Sequence, residues 1–311
     1  MLEVDELDSY IKAGKIASDV RNRAVKLIKN GTAIIDLVEF VEGEILKSGA
    51  GISFPCNVSI NEITAHYTSP LGDENKIVTG DLVKLDLGAE VNGYISDTAI
   101  TVMAPGDNLE ELYDEETLEL NQNIIDASAD ALEAAISTVR AGVEIGQIGK
   151  AVEDAIHAHK LNPITNLTGH SLQHWNLHAG ISIPNYDNGS NVKLEEGQVV
   201  AIEPFATKGI GIVEDIPGSY IFSFMKNKPF RMKHDEKVLK YIKENHQYLP
   251  FSSRWLTKNF NENRLNASIR NLSRAMAIYP YHPLKEKTNS WVSQKEHTII
   301  VEEDGCTVTT L

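Results

Sequence analysis

The residues best placed to do chemistry are two aspartates, Asp86 and Asp97, eleven positions apart in LVKLDLGAEVNGYISDTAITV. Between them lies Asn92-Gly93, flanked by runs rich in Val, Leu, Ile and Thr. That dipeptide is the strongest local hairpin signal, because both central residues of a type I′ turn need positive φ. A hairpin closed there sets Asp86 opposite Ala99 and Asp97 opposite Gly88. Both carboxylates then leave one face as diagonal neighbours, roughly 7 Å apart at Cα, with Lys84, Gly88 and Ala99 beside them. Carboxylates this close repel unless they share a proton or a cation, so the pair reads as half of a metal site. Two solvated acids on an exposed hairpin would need no such partner, and further ligand-type residues downstream decide between the readings.

The segment NLTGHSLQHWNLHAG carries histidines at 170, 174 and 178. Their spacing lines one face of a helix and equally one face of a strand, so periodicity leaves the element open. Gly169 and the Gly180 to Pro184 break put His170 and His178 near element ends, where functional side chains often sit; His174 reads as structural. QVVAIEPFA is a buried-strand pattern with a single carboxylate, Glu203, whose burial demands a cation or strong donors. Glu296 in SQKEHTIIV is weaker alone, since Lys295 and solvent could satisfy it. Two aspartates, two glutamates and a histidine form a hard, oxygen-rich donor set. It suits pairs of Mn, Fe or Co ions, or Zn, and is unlike a structural zinc site. Four carboxylates of this kind can hold two ions about 3.5 to 4 Å apart, the spacing of hydrolytic two-metal centres.

The elements that must position these residues follow from hydrophobic period. Apolar spacing predicts helices over about Leu7 to Lys29, stopped by Asn30-Gly31, and over about Ile35 to Lys47. Strands follow, including the Asp86 to Val102 hairpin, then helices over about Leu109 to Arg140 and Ile145 to Ala158. Aligning Gly31 with Gly142, an offset of 111, brings Ile34 onto Ile145, Leu37 onto Ile148, Val41 onto Val152, Glu42 onto Glu153 and Ile45 onto Ile156. Nearly the same offset lays AHYTSPLGD on LHAGISIPNYD. Two matches in one register predict a duplicated α+β unit. Its strands would merge into a central sheet with helices outside and a cleft at the pseudo-twofold axis that draws ligands from both halves. From Gly218 to Pro280 the pattern changes to short helices (Asp235 to Asn245, Ser252 to Thr257, Arg264 to Ala277), and SWVSQKEHTIIVEED then returns to strand character. This reads as an insertion before the last strand of the second half.

Composition fits a soluble globular chain of one large domain or two, with 311 residues, 42% hydrophobic and 23% charged. No early apolar run resembles a signal peptide and none reaches membrane-spanning length. Only Cys56 and Cys306 are present, which excludes a disulfide framework and a thiolate metal site and places the protein in a reducing cytoplasm. The net charge of −15 argues against wholesale nucleic-acid binding, yet Ile216 to Pro280 carries twelve Lys and Arg against four Asp and Glu.

In order, FPCNVSINEITAHYTSP, KLDLGAEVNGYISDTAITV, NLTGHSL, IEPFA and QKEHTIIV resemble the type 2 methionine aminopeptidases, the archaeal and eukaryotic class, over nearly the whole chain. The resemblance implies the pseudo-twofold "pita-bread" α+β fold, with residues 1–215 and 281–311 as catalytic domain and 216–280 as an inserted helical, winged-helix-like subdomain. It implies two divalent ions, with Asp86 chelating one, Asp97 and Glu296 bridging both, and His170 and Glu203 completing the second. It further implies that Glu203 acts as general base, that His178 stabilises the oxyanion, that His66 contacts substrate near the scissile amide, and that Phe54 lines the methionine side-chain pocket. The substrates would be nascent polypeptide N-termini with a small second residue, and the protein a monomer.

Prolidases and Xaa-Pro aminopeptidases resemble this chain in fold and ligand set, but they usually carry an extra N-terminal domain for which the residues before the first helix leave no room. A non-catalytic relative that binds ribosomes or RNA is the reading from another class. Loss of ligands normally accompanies it, and here all five positions are filled. The basic insertion still predicts weak docking on ribosomal RNA.

Overall fold

Asn92 and Gly93 both adopt positive φ, 53° and 83°, and their turn closes a hairpin of two ten-residue strands with Asp86 opposite Ala99 and Asp97 opposite Gly88. A Cβ on Gly93 would also lie 2.4 Å from the Trp175 indole nitrogen, so the turn needs glycine twice over. The computed structural model describes residues 2–311. In chain order the elements are α1 (Val4–Ala24), α2 (Ile34–Lys47), β1 (Gly51–Ile60), β2 (Ile63–Ala65), β3 (Leu82–Val91), β4 (Tyr94–Met103), α3 (Leu109–Leu112), α4 (Glu115–Thr138), α5 (Ile145–Ala158), β5 (Asn162–Pro163), β6 (Thr168–Leu172), β7 (Ser182–Pro184), β8 (Val199–Ile202), β9 (Phe205–Thr207), β10 (Val213–Asp215), β11 (Ile221–Phe224), α6 (Lys233–His246), β12 (Phe251–Ser252), α7 (Ser253–Leu256), α8 (Glu262–Arg274), β13 (Ile278–Tyr281), β14 (Leu284–Glu286), β15 (Val292–Gln294), β16 (His297–Val301) and β17 (Cys306–Val308).

The repeat is visible in these boundaries. Helices α2 and α5 each have 14 residues and begin 111 positions apart, as do α1 and α4. Gly31 and Gly142, which lead into α2 and α5, share φ values of 83° and 81°. Each half has its own core. In the first, Ala17, Val20, Leu37, Val41 and Ile45 pack on Val58, Leu85 and Leu87; in the second, Ala131, Ala135, Ile148, Val152 and Ile156 pack on Val200, Ile202 and Ile299. Strands β1, β3 and β4 form the first half's sheet, and β17, β16, β8, β6 and β7 the second's. The seam lies between β4 and β16, where the Glu296 N–H donates to Ala99 O, the Thr298 hydroxyl donates to Asp97 O and accepts from Asp97 N–H, and the Thr98 hydroxyl donates to Glu296 O.

Local chemistry departs from the expected elements at three places. The helix expected over Leu109 to Arg140 is two helices, because Asp114 leaves the helical conformation and its carboxylate caps α4 by accepting from Thr117 N–H at 2.9 Å. The first helix ends at Ala24 and tightens into a 3₁₀ turn over Val25–Leu27 rather than running to Lys29. The last helix of the 216–280 segment stops at Arg274 instead of Ala277, with Met276 at φ 53°. That segment also holds the three-stranded sheet β12-β11-β13, around a separate cluster of Phe222, Val238, Leu239, Phe251, Leu265 and Leu272.

One buried ion pair ties this cluster to the first half. The Arg254 guanidinium at α7 donates to both carboxylate oxygens of Glu42 on α2, at 2.9 and 2.8 Å, and to Ser69 O. The Trp255 indole N–H completes the Glu42 shell at 2.8 Å. Burial raises the Glu42 pKa, against the pull of Arg254. Removing one partner strands the other charge, so Glu42→Ala should cost about 3–5 kcal/mol in urea unfolding. A loss below about 1 kcal/mol, the range of exposed pairs, would show that the clasp is not a buried one.

Candidate active site

Each side chain singled out in the sequence reaches one cavity by a different local route. Asp86 and Asp97 arrive from the hairpin on one face, as the register requires. Gly88 leaves room opposite Asp97, where a Cβ would meet Ser53 Oγ and Ser96 O. Lys84 shares the face of the aspartates but does not line the cavity: its ammonium is buried and donates to Asn61 O and Val292 O at 2.9 and 2.8 Å. His170 lies on β6, which pairs with β7 and β8, and this settles the helix-or-strand question. Glu203 stands where Pro204, with no N–H to give, interrupts the ladder between β8 and β9. Glu296 occupies the break between β15 and β16.

The cavity is lined by Phe54, Asn57, His66, Asp86, Asp97, His170, Leu177, His178, Glu203, Ile221, Pro250, Tyr281 and Glu296. All eight residues named from the sequence are among them, and His174 is not; its ring N–H donates outside, to Asn92 O. Ligand-type atoms of Asp97, His170 and Glu296 lie within 4.8 Å of one another. His170 Nε2 is 3.6 Å from Asp97 Oδ2 and 3.8 Å from Glu203 Oε1. His66 Nδ1 is 3.3 Å from His282 O, and Tyr281 sits between the histidines, edge-on to His66 at 5.6 Å and stacked on His178 at 6.3 Å. His66 holds φ 64°, a strained conformation for a side chain of this size.

Electrostatics single the cluster out. Burial pushes the Asp86 carboxyl up to about 7. Burial first, and then the neighbouring carboxylates, hold Asp97, Glu203 and Glu296 well above their usual range. Burial drives His170 well down, with His178 adding to it, and pushes His66 to about 4. His178 stands at the mouth, open to solvent on one side and crowded enough by protein to lower its pKa. Asp86 Oδ1 and Asp97 Oδ1 are buried without a hydrogen-bond partner. Four acids that cannot all ionise, two unpaired carboxylate oxygens and a neutral imidazole fit hard divalent cations, whose charge would offset the repulsion and take up the free lone pairs.

Five lining residues, Asn57, Leu177, Ile221, Pro250 and Tyr281, escaped the sequence reading, and so did Gln294, which does not line the cavity. Tyr281 closes the insertion and carried no local signal. Asn57 lies opposite Asp86 on β1, beyond a bulge that no composition rule locates. Gln294, two residues before Glu296, donates from its amide toward Glu203 and Glu296; its place in QKEH was the only hint.

Residues 8–238 match metallopeptidase family M24. Over 304 residues the chain is 54% identical to a methionine aminopeptidase of Methanothermobacter thermautotrophicus, with 98% of both chains covered. Among solved structures, a thermophilic Arx1 has a TM-score of 0.85 at 22% identity, with 99% of this chain and 91% of that chain covered. Methionine aminopeptidase from Thermotoga maritima has a TM-score of 0.70 at 21% identity, with 99% and 98% covered. At such identities the structures speak for the pita-bread fold, and the near-complete sequence match carries the rest: the chain belongs to metallopeptidase family M24, among its archaeal methionine aminopeptidases.

Proposed function

We propose that this protein removes the initiator methionine from nascent polypeptides when the next residue is small, using two divalent ions drawn from Co, Mn, Fe or Zn. The observation that carries the reading is the convergence of Asp86, Asp97, His170, Glu203 and Glu296 with His66, His178 and Phe54 on one cavity. In this reading Asp86 would hold one ion, His170 and Glu203 the other, and Asp97 and Glu296 would contribute to both. Divalent ions held there supply Lewis acidity toward water and the scissile carbonyl.

The chain's own groups do the rest. Glu203, with a raised pKa, takes up and returns a proton at neutral pH as general base. His66 is neutral, and a carbonyl at Nδ1 fixes the proton there, so Nε2 presents a lone pair to the scissile amide N–H. His178, also neutral near pH 7, steadies the developing oxyanion by a hydrogen bond. Phe54, Leu177 and Ile221 offer an apolar wall to the methionine side chain. Residues 1–215 and 281–311 form the catalytic domain, with 216–280 as an inserted winged-helix-like subdomain, and the protein acts in the cytoplasm as a monomer. The exposed cations Lys226, Arg231 and Lys233, with Lys228, give that subdomain weak affinity for ribosomal RNA.

Metal-stripped protein reconstituted with Co or Mn should release methionine from Met-Ala-Ser and leave Ala-Pro-Ala intact, and Glu203→Ala should lose this activity. Cleavage of the proline peptide would move the protein to the prolidases; cleavage of neither, with metal bound, would move it to the non-catalytic relatives. Because burial raises all four carboxyl pKa values, that of Asp86 to about 7, metal-free protein holds protons within the cluster near neutral pH, and ion binding must displace them. Titration of Mn by calorimetry in buffers of different ionisation enthalpy should therefore show proton release at pH 7, with affinity weakening as pH falls. Ion binding without proton release would mean that the carboxylates ionise unaided. Co-sedimentation with ribosomes should drop when Lys226, Lys228, Arg231 and Lys233 are reversed in charge, and unchanged binding would sink the docking surface.

A further inference from the structure

Gln294 is fully buried, at 1% exposure, and its main chain is held from both sides. Its N–H donates to the Thr101 hydroxyl at 2.7 Å, and that hydroxyl donates back to Gln294 O at 2.7 Å, which locks it to the strand that carries Asp97. On its other side it pairs with Phe205 in the β15–β9 ladder, two residues beyond Glu203. The residue is thus pinned to both halves before its side chain does anything. From there the amide nitrogen reaches Glu203 Oε2 at 3.4 Å and Glu296 Oε2 at 3.3 Å.

We propose that Gln294 is a positioning residue: its two amide N–H groups each hold one oxygen of Glu203 and of Glu296, fixing the rotamers and the separation of these carboxylates and leaving their other oxygens to face the cations. This deepens the reading of the site as a metal-dependent aminopeptidase and rests on it. The residue type follows from the surroundings. A lysine or arginine here would supply the positive charge that the cations supply. A glutamate would add a fifth carboxylate to a cluster already strained by four. A leucine would leave two buried carboxylate oxygens without donors. Only a neutral group with two donors on one atom serves both glutamates and leaves the site's charge to the ions, and of the side chains of this length glutamine alone has one.

The test compares wild type with Gln294→Leu and Gln294→Met, both close in size, neutral and without donors. In calorimetric titration of the metal-stripped proteins with Mn, affinity should fall about 10-fold to 100-fold, as for other groups that orient metal ligands. On Met-Ala-Ser at saturating Mn, kcat should fall by a similar factor with KM within about threefold, because the substrate is not touched. The melting temperature of the metal-free proteins should shift by no more than a few degrees. Unchanged Mn affinity and kcat in either folded variant would overturn the proposal, as would a rise in KM at constant kcat. Should Gln294→Leu fail to fold, Gln294→Met decides, since it keeps the length and the backbone contacts, removes both donors and adds no charge. Wild-type protein that binds Mn but releases no methionine would instead overturn the functional reading and leave the affinity comparison standing.

Discussion

Four carboxyl groups confined to one buried cavity are the constraint around which this molecule is organised. Little water reaches them, and neighbouring carboxylates add to burial in raising the pKa of Asp97, Glu203 and Glu296, so without positive charge the cluster must hold protons or separate. Separation is barred by the way they are mounted. The two aspartates are fixed by a hairpin register, Glu203 by a proline break at a strand end, and Glu296 by a break in the strand that crosses the seam. Each mounting is a backbone device with little freedom, so the repulsion persists as a standing affinity for cations.

The cost of that arrangement is carried by the two lobes. Each has its own apolar core and outer helices, and these cores make the seam rigid enough to hold like charges together. Side chains of unusual placement serve the same end. Lys84, a buried ammonium two residues from Asp86, neutralises nothing in the cavity. It donates instead to the carbonyls of Asn61 and Val292 and so ties the first hairpin strand to β15. Arg254 and Glu42 fasten the inserted module beside β1, next to the wall that Phe54 and Asn57 contribute.

What could be read from the sequence was what local chemistry determines. Asn92-Gly93 specified the hairpin register because only certain residues tolerate its dihedrals. The offset of 111 was legible because matching helices need matching apolar stripes. The gathering of Asp86, Asp97, His170, Glu203 and Glu296 was legible through residue types in a familiar order more than through geometry. What could not be read depends on partners far away in the chain. His170 became a strand residue only through pairing with β7 and β8. Tyr281 entered the cavity only because the insertion returns there. The break at Asp114 hinged on one capping carboxylate, which pattern alone does not separate from the acidic face of a longer helix.

The seam between β4 and β16 also bears on how the chain comes apart. Its contacts join residues near 97 to residues near 297, so they close a loop of about two hundred residues, and the entropy of closing so long a loop rises only with the logarithm of its length. Contacts at that place therefore cost more chain entropy to form than those of the hairpin within one half, though not in proportion to the distance along the chain. Ions held by residues from both halves would add a further link across the seam, so binding them would stabilise the folded chain over the unfolded one.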